Sequence, residues 1–236
     1  MIEIRPADER AHTRIDWLDS WHSFSFGQHY DPSNVGHGLL LVSNDDRVAA
    51  GGGFGTHGHQ DMEIVTWVLS GTLAHRDSTG TDGVITPGLA QRMSAGTGIR
   101  HSEMNASTTE PVHFVQMWVP PDTAGVEPGY EQCDVSADLD TGGLVAIASG
   151  SGEAALHIHQ RDATLWAART PPGADIAVPE AAHVHVFVAE GGATLRAADG
   201  TAHELVVGDA ARLTDEAGPA LTAGSDGMHI LVWATA

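Results

Sequence analysis

His57 and His59 stand one residue apart behind a run of glycines, in the stretch GGGFGTHGHQDMEI that covers residues 51 to 64. On an extended strand, residues i and i+2 share a face, so these two imidazoles would lie side by side. A second pair with the same spacing, His101 and Glu103, follows the flexible AGTG in MSAGTGIRHSEMN and can sit at a strand start facing the first pair. Three ring nitrogens and one carboxylate oxygen suit Fe(II) or another divalent first-row metal, and leave coordination positions open. The same donors also hold Mn, Co, Ni, Cu or Zn, so they do not fix the metal. A structural zinc site would draw on cysteine, and the chain has 1, Cys133.

Two competing readings of these residues are weaker. Glycine-rich loops cradle phosphates, but that use needs a strand before and a helix after, or a Gly-Lys-Ser/Thr ending; here there is no lysine and the chain runs into IVTWVL, which reads as strand. The 15 histidines would give about one H-x-H pair by chance, and three occur, at 57/59, 157/159 and 183/185. His157 and His159, in LHIHQRD, superficially repeat HGHQD and are read as a decoy. His183 and His185 are read as an alternating strand face that meets solvent or another domain.

The elements that must position these side chains are short strands. LLLV (39 to 42), IVTWVL (64 to 69) and HFVQMWV (113 to 119) are separated by Gly, Pro, Asn or Asp clusters, at the spacing of a β-sandwich. After a linker candidate from Pro120 to Gly143 the texture returns in LVAIA, LHIH, TLWAA, HVHVFVA, ATLRA, HELVVGD and HILVWA. Laying WVLSGTLAHRDSTG (67 to 80) over FVAEGGATLRAADG (187 to 200) puts Gly71 on Gly191 and Gly80 on Gly200. The same offset of 120 residues carries Gly88, Ala90 and Arg92 onto Gly208, Ala210 and Arg212. We therefore expect a duplicated all-β chain with little helix, divided into residues 1–130 and 131–236. The offset maps His57, His59, His101 and Glu103 onto Ala177, Pro179, Leu221 and Ala223, none of which binds a metal.

Bulk properties narrow the setting. A chain of 236 residues, 42% hydrophobic and 18% charged with 28 Gly and 11 Pro, is a turn-rich globular sequence long enough for two cores. Its 11 basic against 31 acidic residues give a formal charge of −20, which repels nucleic-acid backbones and anionic membranes alike. The N-terminus lacks the basic and apolar regions of a signal peptide, no stretch approaches a membrane span, and the lone Cys133 excludes an internal disulfide. The expected location is the cytoplasm.

At these residues the sequence resembles the cupin superfamily. Its first motif, G-x5-H-x-H-x3,4-E-x6-G, is met by Gly51, His57, His59 and Glu63, with Gly71 one residue late; its second, P-x-G-x2-H-x3-N, by Gly98, His101 and Asn105, with Gly96 in the proline's place. More narrowly, HSFSFGQHYDP, FGTHGHQDMEI and MSAGTGIRHSEMN resemble the pirin family, over about residues 10 to 130. The resemblance implies two cupin-type β-barrels (double-stranded β-helices) in tandem, the first metal-binding and the second degenerate. It implies His57, His59, His101 and Glu103 as ligands, where ordinary cupins would use Glu63. Glu63 is then a candidate for orienting a histidine or holding a loop.

The same resemblance implies a quercetin 2,3-dioxygenase-type reaction at one iron per chain, in which Glu103 takes the flavonol proton and dioxygen cleaves the ring with release of carbon monoxide. The residues themselves support a Lewis-acid site with a base beside it. Trp21, Phe24 and Phe26 are read as pocket wall or, more simply, as core. The alternative function, also implied by the family, is a regulatory pirin that binds a protein partner without turnover.

Overall fold

The unbroken apolar runs at 64–69 and 113–119 become two adjacent strands that are buried on both faces. The computed structural model describes residues 1–236. In the first half the strands are β1 (Ile2–Arg5), β2 (Ala11–Ile15), β3 (Leu18–His22), β4 (Val42–Val48), β5 (Gly53–His59) and β6 (Glu63–Ser70). They continue with β7 (Leu73–Asp77), β8 (Asp82–Ile85), β9 (Leu89–Ser94), β10 (Ile99–Asn105), β11 (Val112–Val119) and β12 (Gly129–Asp134). One helical turn, α1 (Ser136–Leu139), precedes β13 (Val145–Ser149), β14 (Leu156–His157), β15 (Ala163–Thr170), β16 (Asp175–Ala177), β17 (His183–Arg196), β18 (Ala202–Val206), β19 (Ala210–Thr214) and β20 (Ala220–Thr235).

The first barrel closes a seven-stranded sheet, in the order β12-β9-β6-β11-β4-β3-β2, over a four-stranded one, β5-β10-β7-β8. Leu18, Val48, Val68, Leu73, Ile85, Val112 and Phe114 fill the space between them. In the second barrel, β17 and β20 each serve both layers. They pair with β19 and β15 along one part of their length and with β18 and β16 along the other.

Period-two alternation then decides the interior and the exterior of each barrel. On β6, Ile64, Thr66 and Val68 face inward, whereas Val65, Trp67 and Leu69 join a cluster of 23 buried residues that also takes Val115, Met117, Leu165, Phe187, Leu231 and Trp233. The largest core thus lies between the barrels rather than within either one. Its buried polar atoms are paired across the seam: Trp67 Nε1 donates to His229 Nε2 at 3.0 Å and Trp233 Nε1 points to Met117 Sδ at 3.2 Å.

The 120-residue offset is realised in backbone geometry. Gly71 and Gly191 have φ of 79° and 73°, and at each a Cβ would run into a backbone carbonyl, that of Pro111 or of Gly227. The last strand slips along its second half: Phe114 pairs with Val68 and Ile230 with Val188, an offset of 116 after a tighter approach loop. β16 is displaced by one residue, so Leu221 pairs with the buried Ile176 rather than with Ala177, and the next buried side chain is Val178, beside Pro219, rather than Pro179.

Three expectations change. Only Val42 of LLLV enters a strand, because Leu39 and Leu40 belong to a turn stitched to the second barrel. The linker candidate holds β12 and α1, and β12 pairs in full register with β9, from Gly129↔Ser94 to Asp134↔Leu89. The boundary at 130/131 therefore falls inside a strand. At the other end of the chain β1 joins β19 of the second barrel, so each half lends its first strand to the other's sheet. No helix is long and apolar enough to cross a membrane.

Candidate metal centre

β5 and β10 run antiparallel with His57 directly opposite His101. Ring centroids are 4.4 Å apart for His57–His101, 4.8 Å for His57–His59 and 5.0 Å for His59–His101. One nitrogen from each of the three lies within 4.8 Å of the others. His57 Nδ1–H donates to the Gly55 carbonyl at 2.8 Å, which leaves Nε2 free as a lone-pair donor. The Nε2 atoms of His59 and His101 are buried without a partner. Burial, then the crowding of neighbouring imidazoles, pushes His59 down to about 4 and His101 to about 3. Three converging imidazoles, two of them with buried, unsatisfied nitrogens, are what a divalent cation requires.

Behind His101 stands a relay whose histidine the sequence reading missed. In the β10–β7 register His101 faces Asp77 and Glu103 faces His75. His75 Nε2–H donates to Asp77 Oδ2 at 3.1 Å, so its Nδ1 is left to accept from His101 Nδ1–H across a long 3.5 Å contact. Asp77 is in turn fixed by the backbone N–H groups of Thr79 and Thr81. A carboxylate–imidazole chain of this kind sets the tautomer that keeps His101 Nε2 unprotonated. The signal was present in the sequence, since His75 and Asp77 in LAHRD have the same i, i+2 spacing as the pairs singled out above.

Glu103 is fully buried, with both carboxylate oxygens accepting from Gln116 Nε2 at 2.8 and 2.9 Å. Trp118 Nε1 donates to Gln116 Oε1 at 3.0 Å, which orients the amide with its NH₂ toward Glu103. Burial raises the Glu103 carboxyl above its ordinary range, against these hydrogen bonds. Its carboxylate groups with His75 and His101 within 4.8 Å, not with the three-histidine cluster. A β-bulge between His101 and Glu103 in the β5 pairing accounts for the setback, because Glu103 faces Phe54 across two intervening β5 residues.

His57, His59 and Glu103 form one wall of a cavity of about 630 Å³ whose other walls carry Trp17, Phe26, Phe54 and Trp118. Of the three aromatics considered from sequence, only Phe26 lines it; Phe24 is core and Trp21 stacks on His12 with centroids 3.9 Å apart. The inward face of β3 and β4 adds a polar wall that sequence reasoning missed, comprising Ser20, His22, Asn44 and Asp46. His22 Nδ1–H donates to Asn44 Oδ1 at 2.9 Å and its Nε2 accepts from Thr13 Oγ1 at 2.9 Å. Burial pushes Asp46, held by Ser20, up to about 7. His22 opens the segment HSFSFGQHYDP, which was the available signal.

The remaining acidic and histidine positions separate cleanly. Glu63 lies on the odd-numbered face of β6, which points to the interface between the barrels, and so it cannot reach the three imidazoles. It accepts instead from Ser94 Oγ at 2.7 Å and from His159 of the second half at 3.2 Å. Glu63 thus orients a histidine, but one from the pair read as a decoy. His157 is exposed. His185 is buried against Phe24, with ring centroids 5.5 Å apart, while His183 packs edge-on to His37.

A family model for Pirin matches residues 4–119. The Mycobacterium tuberculosis protein Rv0181c is 55% identical over 234 residues, covering 98% of this chain and 94% of its own length. The Escherichia coli protein named quercetin 2,3-dioxygenase is 48% identical over 160 residues, 68% of each chain. The crystal structure of YhhW from Escherichia coli superposes with a TM-score of 0.89 at 37% identity, covering 100% of this chain and 98% of that one, and the nickel(II) complex of this bacterial pirin gives the same score and identity with 99% of its chain covered. By this likeness, which spans both barrels, the chain belongs to the pirin family of bicupins.

Proposed function

We propose that this pirin is a metal-dependent dioxygenase that cleaves a flavonol such as quercetin, with His57, His59 and His101 as ligands of one divalent ion and Glu103, set back beside His101, as the fourth that must move toward it, Fe(II) first and Ni(II), Mn, Co, Cu or Zn as competitors. The observation that carries the reading is the convergence of three imidazoles, two with orphaned Nε2 atoms, beside a 630 Å³ cavity that His57 and His59 line together with four aromatic rings. The relatives named quercetin 2,3-dioxygenase and the nickel-bound neighbour support it.

When bound, the metal supplies Lewis acidity and a redox-active centre for pairing an electron-rich enolate with dioxygen. The remaining work falls to the chain. Trp17, Phe54 and Trp118 sandwich a flat substrate, and Phe26 with the polar wall of β3 and β4 sets its far end. Glu103 accepts the proton of the enolic hydroxyl; its raised affinity for protons suits a base that must hold one, and Gln116 swivels with it as a donor to either oxygen. One dioxygen is consumed and one carbon monoxide leaves per ring opened.

Oxygen uptake and carbon monoxide release by the purified protein, with each metal restored in turn and a panel of flavonols, test the proposal. Turnover lost in His57→Ala supports it. Metal binding without turnover for any flavonol and any metal replaces it with the regulatory reading.

A further inference from the structure

Arg92 and Arg212 are equivalent under the 120-residue offset, and each stands on the outermost long strand of its sheet opposite a glutamate, Glu131 on β12 and Glu3 on β1. The two pairs are wired differently. Arg92 Nη2 donates to Glu131 Oε2 at 2.7 Å. Glu3 gives its Oε1 to Arg5 at 3.0 Å, and Arg212 is left with two uncharged acceptors, the Ser23 carbonyl at 2.9 Å and Asn34 Oδ1 at 2.6 Å. Arg212 is only 7% exposed, and its Nε, like that of Arg92, has no partner, so what separates the two is the carboxylate.

Where the second copy lacks its carboxylate there is a cavity. It holds about 10 Å³, room for one small, water-sized occupant. Arg5, Arg10 and Arg212 line it together with Ser23, Asn34 and the exposed Glu9. The Arg10 side chain is 6% exposed; its Nη2 reaches Asp45 at 3.3 Å, but its Nη1 is buried without a partner. Asp45 is itself shared with His113 and Arg47. Three guanidinium groups therefore surround a small void between the barrels, in a chain whose net charge is −20. Burying a cation without a counter-charge is costly. Burial and the nearby Arg5 push Arg212 down to about 10, only partly offset by Glu3.

We propose that this cavity is a binding site for a chloride-sized monovalent anion, which takes the place on Arg10 and Arg212 that the Glu131 carboxylate takes on Arg92. The ion would tie the first strand and its following turn to β19, and so brace the exchange of β1 onto the second barrel. The inference is independent of the metal-centre chemistry, and its test needs neither metal nor substrate.

Thermal unfolding of the whole chain in potassium chloride or bromide is compared with potassium gluconate at equal ionic strength, gluconate being too large for the cavity. A saturable, halide-specific rise in Tm is expected, with saturation moved to several-fold higher halide in Arg5→Ala, a rim residue whose loss leaves the buried arginines in place. Crystals grown in bromide should show an anomalous peak between Arg10 and Arg212. Equal melting in halide and gluconate overturns the proposal, as does a crystal peak without stabilisation in solution, which would mark an adventitious ion only.

Discussion

Where the first barrel sets His57, His101 and Glu103 beside Gln116 and Asp46, the second sets Ile176, Leu221 and Ala223 into a cluster of 16 buried apolar residues. The inward apolar clusters of the first barrel contain 7 and 4 residues. One strand plan thus carries two kinds of interior: a half-polar one that forms a cavity and leaves nitrogen atoms unsatisfied, and a closed one that does neither. The open barrel leans on the seam of 23 residues that it shares with the closed one. Duplication relieves the site-bearing copy of supplying its own core, since burial of apolar surface is the main stabilising contribution and is roughly proportional to area.

The largest effect should come from removing one of the converging nitrogens. His101→Ala is expected to weaken metal binding by more than the roughly 100-fold upper range for outer partners of a ligand, measured by competition with a chromophoric chelator. The metal-free protein should lose less stability than a core truncation costs, because His101 Nε2 has no partner and Nδ1 gives up only the long contact to His75. The mirror experiment is Leu221→Ala at the equivalent position of the closed barrel. There we expect a loss of about 2–5 kcal/mol in unfolding free energy by denaturant titration and unchanged metal affinity. If the two substitutions behave alike, the division of labour between the barrels fails.

A finer test separates the ligand from its support. His75→Phe keeps bulk under Tyr130, whose ring lies 4.6 Å away, but removes the acceptor that fixes the His101 tautomer. Metal affinity should fall by about 10 to 100-fold. Asp77→Asn should act in the same direction and more weakly, since Thr79 and Thr81 still position the side chain. Unchanged affinity in both would show that His101 is oriented by its strand alone.

Much of this arrangement is legible in the residues. The i, i+2 spacing singled out both candidate pairs, and His57, His59 and His101 come together because side-chain direction on a strand has a period of two and the His57↔His101 register preserves it, whereas the bulge sets Glu103 back. The offset of 120 survived because its glycines all hold positive φ, a conformation that favours glycine, and at Gly71 and Gly191 close backbone approach adds to the constraint. Other features depend on long-range pairing. That β12 closes the first sheet and β1 the second is decided by partners about 40 and 210 residues away, which local composition does not encode. Glu63 shows the limit of motif spacing: the motif placed it, but the phase of β6 turned it to the seam. His22, Asn44 and Asp46 escaped notice because polar residues alternating on β3 and β4 read as a solvated face until the opposing sheet covers them.

The smallest effect expected is in pH dependence, and its sign follows from burial. An unfolded histidine titrates near 6.5, whereas folded His59 and His101 are held at about 4 and about 3. Between these limits the unfolded chain binds protons that the folded chain refuses, so stability is fully present above about pH 6.5 and falls as pH is lowered toward 4. His185, buried in the second half, and His22 are also held below the usual range and act with the same sign. Only part of the slope therefore belongs to the metal centre. Denaturant titrations of the metal-free protein from pH 7.5 to 4.5 should show a flatter profile in His59→Gln/His101→Gln than in the parent, with the residual slope further reduced by His185→Gln. If the double variant keeps the full slope, the first barrel holds its imidazoles in water rather than behind Trp118, and the contrast between a half-polar and a closed interior disappears with it.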